Sequence, residues 1–97
     1  MEHNLETNYN GVKLRLVFSA NDKTIEGEAT LLINNIEREK VVSKENTTLK
    51  LNSTVQTEYE WHEFIEAIVE YGSDKITASL FASKVMLTQI VIERQIE

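Results

Sequence analysis

The sequence predicts an α+β domain in which an antiparallel sheet of about five strands is covered on one face by a single amphipathic helix. Two stretches near the N-terminus alternate apolar and polar residues, which is typical of half-buried strands. A later stretch places its apolar residues on one side of a helical wheel. The predicted order along the chain is therefore β-β-β-α-β-β.

Composition describes a small acidic protein. The chain has 97 residues, a formal net charge of −6, no cysteine and no proline. This length suits one domain, which we expect to span residues 11–97 after a loose N-terminal leader at residues 1–10. Without cysteine there is no disulfide or thiolate chemistry. No signal peptide or membrane span is recognisable, so the expected location is cytoplasmic and no membrane partner is expected.

The first two strands are predicted to form a hairpin. Residues Val12 to Ser19 and Thr24 to Ile33 alternate, and Asn21-Asp22 between them tolerates the positive φ of a two-residue turn. This turn aligns the two apolar faces. The resulting register makes four apolar-face pairs and one charged pair: Phe18 with Ile25, Leu16 with Gly27, Leu14 with Ala29, Val12 with Leu31, and Arg15 with Glu28. Gly27 then predicts a bulge or a close approach by the helix.

The third strand is ambiguous. A tight turn at Asn34-Asn35 places Arg38 and Lys40 on the apolar face, so residues 34–40 are interpreted as a polar loop or a protruding hairpin tip. A helical stripe over residues 29–36 is the alternative, and the asparagine pair argues against it. Pairing is expected to resume near residues 41–42 or 47–51.

The helix is predicted between Thr57 and Gly72. Thr57 and Glu60 match a capping box, and Gly72 suits the position after a helix C-terminus. One side of the wheel is apolar: Trp61, Phe64, Ile65, Ile68, Val69 and Tyr71. The other side is anionic and contains no lysine or arginine: Tyr59, His62, Glu63, Glu66 and Glu70.

Two more strands are predicted after the helix, at residues 75–82 and 85–95. The alternative for residues 76–84 is a helix capped by Ser73-Asp74. The last strand is apolar on both faces, which suggests a central strand or a subunit interface. One helix covers only one face of a five-stranded sheet. A homodimer through the second sheet face is therefore a hypothesis of this sequence.

Catalytic motifs are lacking. The segment from His62 to Glu66 reads H-E-F-I-E and misses the second histidine of the zinc-protease pattern. Glutamates on a solvated helix face have no burial to separate their pKa values for acid/base work. Nucleophile and phosphate-binding motifs are absent from the sequence. We therefore expect a non-enzymatic protein without catalytic residues, cofactor or metal.

The leading functional hypothesis is a protein-binding module. Its partner-binding residues are predicted to be Tyr59, His62, Glu63, Glu66 and Glu70, docking on a basic partner as an inhibitor, immunity or phage accessory protein would, and acting as a nucleic-acid mimic. The alternative is a homo-oligomeric structural subunit. A second alternative, disfavoured by the net charge, is a sheet that binds nucleic acid through Lys13, Arg15, Arg38, Lys40 and Lys50, with Phe81 as the one candidate for stacking a base.

Overall fold

The computed structural model describes residues 2–20, 27–43, 48–56, 62–72 and 74–93. These residues form eight antiparallel strands in two four-stranded sheets. The first sheet contains β1 (Glu2–Tyr9), β2 (Val12–Ala20), β3 (Gly27–Ile33) and β4 (Ile36–Ser43). The second contains β5 (Thr48–Gln56), β6 (His62–Tyr71), β7 (Lys75–Ala82) and β8 (Val85–Glu93). The predicted α+β class is therefore wrong, and the fold is all-β.

Each sheet is a meander in which strands that follow one another in sequence are hydrogen-bonded neighbours. The two sheets share one hydrophobic core. Strand β4 lies beside β5, and β1 lies beside β8. Both sheets supply the largest fully buried side chains: Phe18, Leu14, Leu16, Leu31, Ile33, Leu51, Ile65, Leu80 and Val69. Each sheet thus has an inner face towards this core and an outer face towards solvent.

The predicted helix is replaced over residues 62–71 by strand β6, which is central in the second sheet. Its buried residues alternate with more exposed ones, so that Ile65, Ala67, Val69 and Tyr71 point into the core. Isoleucine, valine and tyrosine favour strands, and pairing with both β5 and β7 satisfies the backbone on both sides. The proposed capping residues Thr57 and Glu60 lie outside the described residues.

Residues 2–9, for which the sequence suggested a loose leader, form β1. Strand β1 pairs with β2 over its whole length. Leu5 is buried opposite Leu16, and the His3 ring lies 5.4 Å from the Phe18 ring. The single buried leucine of this strand lies among polar residues, so the sequence offers little alternation to indicate a strand.

The register of β2 with β3 differs from the prediction by four residues. Phe18 pairs with Ala29, Leu16 with Leu31, and Leu14 with Ile33. An even shift leaves side chains on their predicted faces, so the predicted inward residues that lie within the described ranges are buried. The predicted Arg15–Glu28 pair does not form, since Arg15 is opposite Leu32. The proposed turn at Asn21-Asp22 lies outside the described residues.

Strand β4 occupies residues that were predicted to be a loop. Asn34 and Asn35 do form the tight turn, with φ values of 52° and 66°. The register shifts between Leu31 and Leu32, and Arg38 is the extra residue on β4. This bulge returns Val41 to the inner side opposite Ala29 and leaves Lys40 exposed. Because of the bulge, Lys40 does not lie on the apolar face, and its placement there was the argument against a strand at these residues.

Three hairpins use two-residue turns in which both residues have positive φ: Asn10-Gly11, Asn34-Asn35 and Ser83-Lys84. Positive φ at both central positions is the hallmark of type I′ turns, for which asparagine and glycine are preferred. Ser83-Lys84 is the least suited of the three, because lysine is held at a φ of 69°.

Replacing Lys84 with glycine is therefore expected to stabilise the protein by about 1 kcal/mol, since an L-residue in the left-handed region is strained by roughly that amount. The free energy of unfolding from urea denaturation measures the effect. Gly11→Ala is the matched control and should destabilise, because it introduces the same strain at a φ of 79°. Loss of stability in Lys84→Gly would contradict the assignment of this turn.

The sheets are joined by a contact between Gly27 and Tyr71. A Cβ atom at Gly27 would lie 2.6 Å from Cζ of the Tyr71 ring. The Tyr71 hydroxyl donates hydrogen bonds to the carbonyl oxygens of Ser19, at 2.9 Å, and Glu28, at 3.3 Å. The close approach predicted at Gly27 is thus made by this side chain of β6 and not by a helix.

The two strands predicted after residue 72 are confirmed as β7 and β8. Strand β8 lies at an edge of the second sheet and not at its centre. No helix long and apolar enough to cross a bilayer occurs in the part of the chain that the structure describes.

Candidate partner-binding face

The alternation of β6 divides the predicted acidic residues between the two faces of the second sheet. His62, Glu66 and Glu70 have the parity of the outer face, whereas Glu63 has the parity of the buried residues. Tyr59 lies outside the described residues. The anionic surface that the helix would have presented is therefore not formed as predicted. What remains on the outer face of β6 is Glu66 and Glu70, with His62 at the start of the strand.

Glu63 has a local partner in the turn between β7 and β8. The Ser83 hydroxyl donates a hydrogen bond to Oε2 of Glu63. The Ser83 amide donates to the carbonyl oxygen of Phe64, at 2.8 Å. These contacts join the turn to β6. Glu63 therefore stabilises this hairpin and is not part of the outer face.

An apolar cluster of Phe64, Phe81 and Met86 lies on the outer face beside Glu66. Phe81 is opposite Glu66 on β6 and opposite Met86 on β8. The hydrogen bond from the Ser83 amide to the Phe64 carbonyl oxygen places these two residues opposite each other. Phe81, two positions before Ser83, is therefore a diagonal neighbour of Phe64. The side chain of Phe64 is 42% exposed and that of Met86 is 49% exposed. Aromatic and methionine side chains are enriched in the centres of protein interfaces.

Glu66 and Glu70 make no ion pair with any part of the chain that the structure describes. The nearest basic residue by register is Lys50, which is opposite Ile68 and therefore diagonal to both glutamates. Lys50 is exposed and forms no ion pair with either of them. The two carboxylates thus remain available to a partner.

Two ion pairs lie on the outer face of the first sheet. Arg15 lies 3.4 Å from the Glu6 carboxylate and donates to Oδ1 of Asn4 at 2.9 Å and 3.1 Å. Lys40 lies 2.7 Å from the Glu28 carboxylate, and this hydrogen bond raises the pKa of Lys40. The second sheet is therefore distinguished by its exposed apolar cluster beside two carboxylates, and not by unpaired charge alone.

The cationic residues considered for nucleic acid do not share one surface. Lys13, Arg15 and Lys40 belong to the outer face of the first sheet, whereas Lys50 lies on the second sheet. Phe81, the candidate for base stacking, is also on the second sheet. Lys13, Arg15 and Lys40 are therefore on the opposite side of the molecule from Phe81, and only Lys50 of these four cations shares its face, which weakens the geometric support for nucleic-acid binding.

Within the described ranges, no cluster of three histidine, cysteine, aspartate or glutamate side chains could hold a metal ion. His62 and Glu66 lie four residues apart on the outer face of β6, whereas Glu63 has the parity of the inner face. The helical spacing that motivated the zinc comparison does not exist on a strand.

Sequence reasoning missed the apolar cluster, because Phe64 was assigned to the core. The missed signal was the alternation of Ile65, Ala67, Val69 and Tyr71, which is visible beside the helical pattern. No protein-family model, curated protein or solved structure matches this chain. Its function is therefore argued from the second sheet's outer face.

Proposed function

We propose that this protein is a non-enzymatic binding module that docks a basic protein partner on the outer face of its second sheet. Phe64, Phe81 and Met86 form the apolar centre of the contact, and Glu66 and Glu70 supply the attraction for the partner's cations. The observation that carries this proposal is the combination of exposed aromatic surface with carboxylates that form no ion pair within the described residues. The cysteine-free composition fits a reducing compartment, and a cytoplasmic location belongs to the same proposal.

The division of labour follows from general properties of interfaces. Buried aromatic and methionine side chains contribute most of the binding free energy when they enter a pocket or meet an apolar surface. Carboxylates at the rim contribute mainly to orientation and to the rate of association. The net charge of −6 adds a long-range attraction for basic partners.

The test uses a synthetic peptide of alternating lysine and leucine residues as the probe, with affinity measured by isothermal titration calorimetry. The double substitution Phe64→Ser with Glu66→Lys is expected to weaken binding at least about tenfold, which corresponds to about 1.4 kcal/mol. Wild-type binding should also weaken as the Debye length falls from about 30 Å at 0.01 M salt to about 8 Å at 0.15 M.

The matched control is Val42→Ser with Glu37→Lys on β4. Val42 and Glu37 are exposed on the outer face of the first sheet, and the control changes the net charge of the protein by the same amount. It should leave the affinity within about twofold of wild type. An equal loss in both double variants would show that the peptide senses only net charge, and the assignment of the second sheet would then be wrong.

A further inference from the structure

The exposed edge of β8 differs from the other edges of the two sheets. Native edge strands usually carry charges, bulges or covering groups that prevent pairing with another chain. Strand β1 contains Glu2 and Glu6, and residues 37–40 of β4 are all charged. Strand β5 contains Lys50, and its Asn52 amide donates to Oε2 of Glu39 at 2.7 Å. Three edges are thus protected by charge or by a side-chain hydrogen bond.

Strand β8 has little of this protection. It contains no charged residue before Glu93 and no glycine. Its one irregularity is the register shift opposite Leu80 and Phe81, after which pairing with β7 is regular from Thr88 to Glu93. Val91 in this regular part is 53% exposed, and Ile90 and Ile92 are only partly buried.

The backbone of β8 has hydrogen-bonding capacity on its outer edge. In the described part of the chain β8 is bonded to β7 alone, and β1 lies beside it without joining the ladder. Unpaired N–H and C=O groups in a row are a template for another strand. The β-branched residues Val91, Ile90 and Ile92 favour the extended conformation that such pairing needs.

We propose that residues 89–93 of β8 pair antiparallel with the same residues of a second copy of this chain, so that the two second sheets join across a twofold axis at Val91. Antiparallel pairing of identical strands is isologous, because each copy offers the same groups to the other. It also keeps outer faces together, so Val91 gains apolar neighbours from the second copy.

Charge agrees with this orientation. With Val91 on the axis, each Glu93 lies opposite the uncharged Gln89 of the other copy. Parallel pairing in register would bring the two Glu93 side chains together instead.

The proposal is tested by sedimentation velocity on the whole chain up to about 1 mM, a range that detects dissociation constants of about that size. The wild type is expected to reach twice its 11.2 kDa mass. Val91→Lys should raise the dissociation constant at least about tenfold, because the substitution places two lysines near the twofold axis. Its thermal midpoint at low concentration, where both proteins are monomeric, should stay near that of wild type, since Val91 is exposed in the monomer.

The control is Val42→Lys, an equivalent change at an exposed valine on the outer face of edge strand β4. It should dimerise like the wild type. A mass of 11.2 kDa at every wild-type concentration would overturn the proposal, as would a dimer that Val91→Lys leaves intact. Equal weakening by both substitutions would also reject β8 as the interface.

Amide hydrogen exchange supplies a second readout. Amides within residues 89–93 should gain protection at high protein concentration, and those of β4 should not. Protection appearing only on other strands would overturn the assignment. The wild type at concentrations where it is monomeric should still bind the lysine–leucine peptide, so failure of the dimer and failure of the proposed function are distinguishable.

Discussion

Replacing Ala67 with glutamate is expected to unfold the protein, whereas Ile68→Glu at the next position is expected to leave it folded. Ala67 is fully buried on β6, opposite the fully buried Leu51 of β5 and Leu80 of β7. A glutamate there would be an unpaired charge in the shared core, with an expected cost of more than about 4 kcal/mol.

Ile68 is larger and more apolar than Ala67, yet its substitution should be mild. Its side chain points to the outer face and is partly exposed, directly opposite Lys50. A glutamate at this position would face that lysine across the strands, and such pairs contribute up to about 1 kcal/mol. We therefore expect a change of about 1 kcal/mol or less in the free energy of unfolding.

Urea denaturation followed by circular dichroism measures both variants. The pair discriminates sharply between a strand and a helix at residues 62–71. On a helix Ile68 would belong to the apolar side and Ala67 would lie near the glutamates, so the order of the two effects would reverse. A folded Ala67→Glu together with an unfolded Ile68→Glu would contradict the strand.

The second large effect is expected at Gly27, where alanine should destabilise the protein by about 1–3 kcal/mol. The added methyl group would lie within van der Waals overlap of the Tyr71 ring, at 2.6 Å from Cζ. The ring is held by hydrogen bonds from its hydroxyl to the carbonyl oxygens of Ser19 and Glu28. Relief of the overlap would require this contact between the sheets to shift.

A double-mutant cycle with Tyr71→Leu isolates the contact. In the Tyr71→Leu background, Gly27→Ala should cost less, with a coupling free energy of about 0.5–3 kcal/mol. Denaturant unfolding of the four proteins gives this value. Additive effects would show that the alanine acts only through backbone conformation and not through the tyrosine ring.

The hairpin of β2 and β3 shows how much could be predicted from the sequence. The faces of both strands were predicted correctly, because alternation with a period of two is a local property of the chain. The register was displaced by four residues, since it depends on the length of the connection and on pairing with β1 and β4. Face and register thus have different origins, one local and one tertiary.

The segment from 62 to 71 shows why the helix prediction was wrong. Its glutamates and alanine favour a helix, and its apolar residues satisfy a helical wheel as well as an alternation. Over ten residues the two periods share many positions. Backbone pairing with neighbouring strands on both sides favours the strand over the helix. Strands β5 and β7 supply this pairing along most of the segment.

The candidate site likewise depends both on local sequence and on tertiary pairing. Glu66 and Glu70 share the outer face of β6 while Glu63 has the parity of the buried residues, because a helix and a strand distribute the same residues differently. The apolar cluster could not be assembled from the sequence, since Phe64, Phe81 and Met86 come from three strands. Only their register brings them together.

By itself the sequence determined that the chain is acidic and cysteine-free, and which of the described residues of β2 and β3 face the core. These properties depend on residue type and on neighbours along the chain. The tertiary structure alone decided that β6 is a strand, that residues 2–9 belong to a sheet, and that β8 lies at an edge. Each of these depends on hydrogen bonds to distant segments, whose free energy outweighs local propensity.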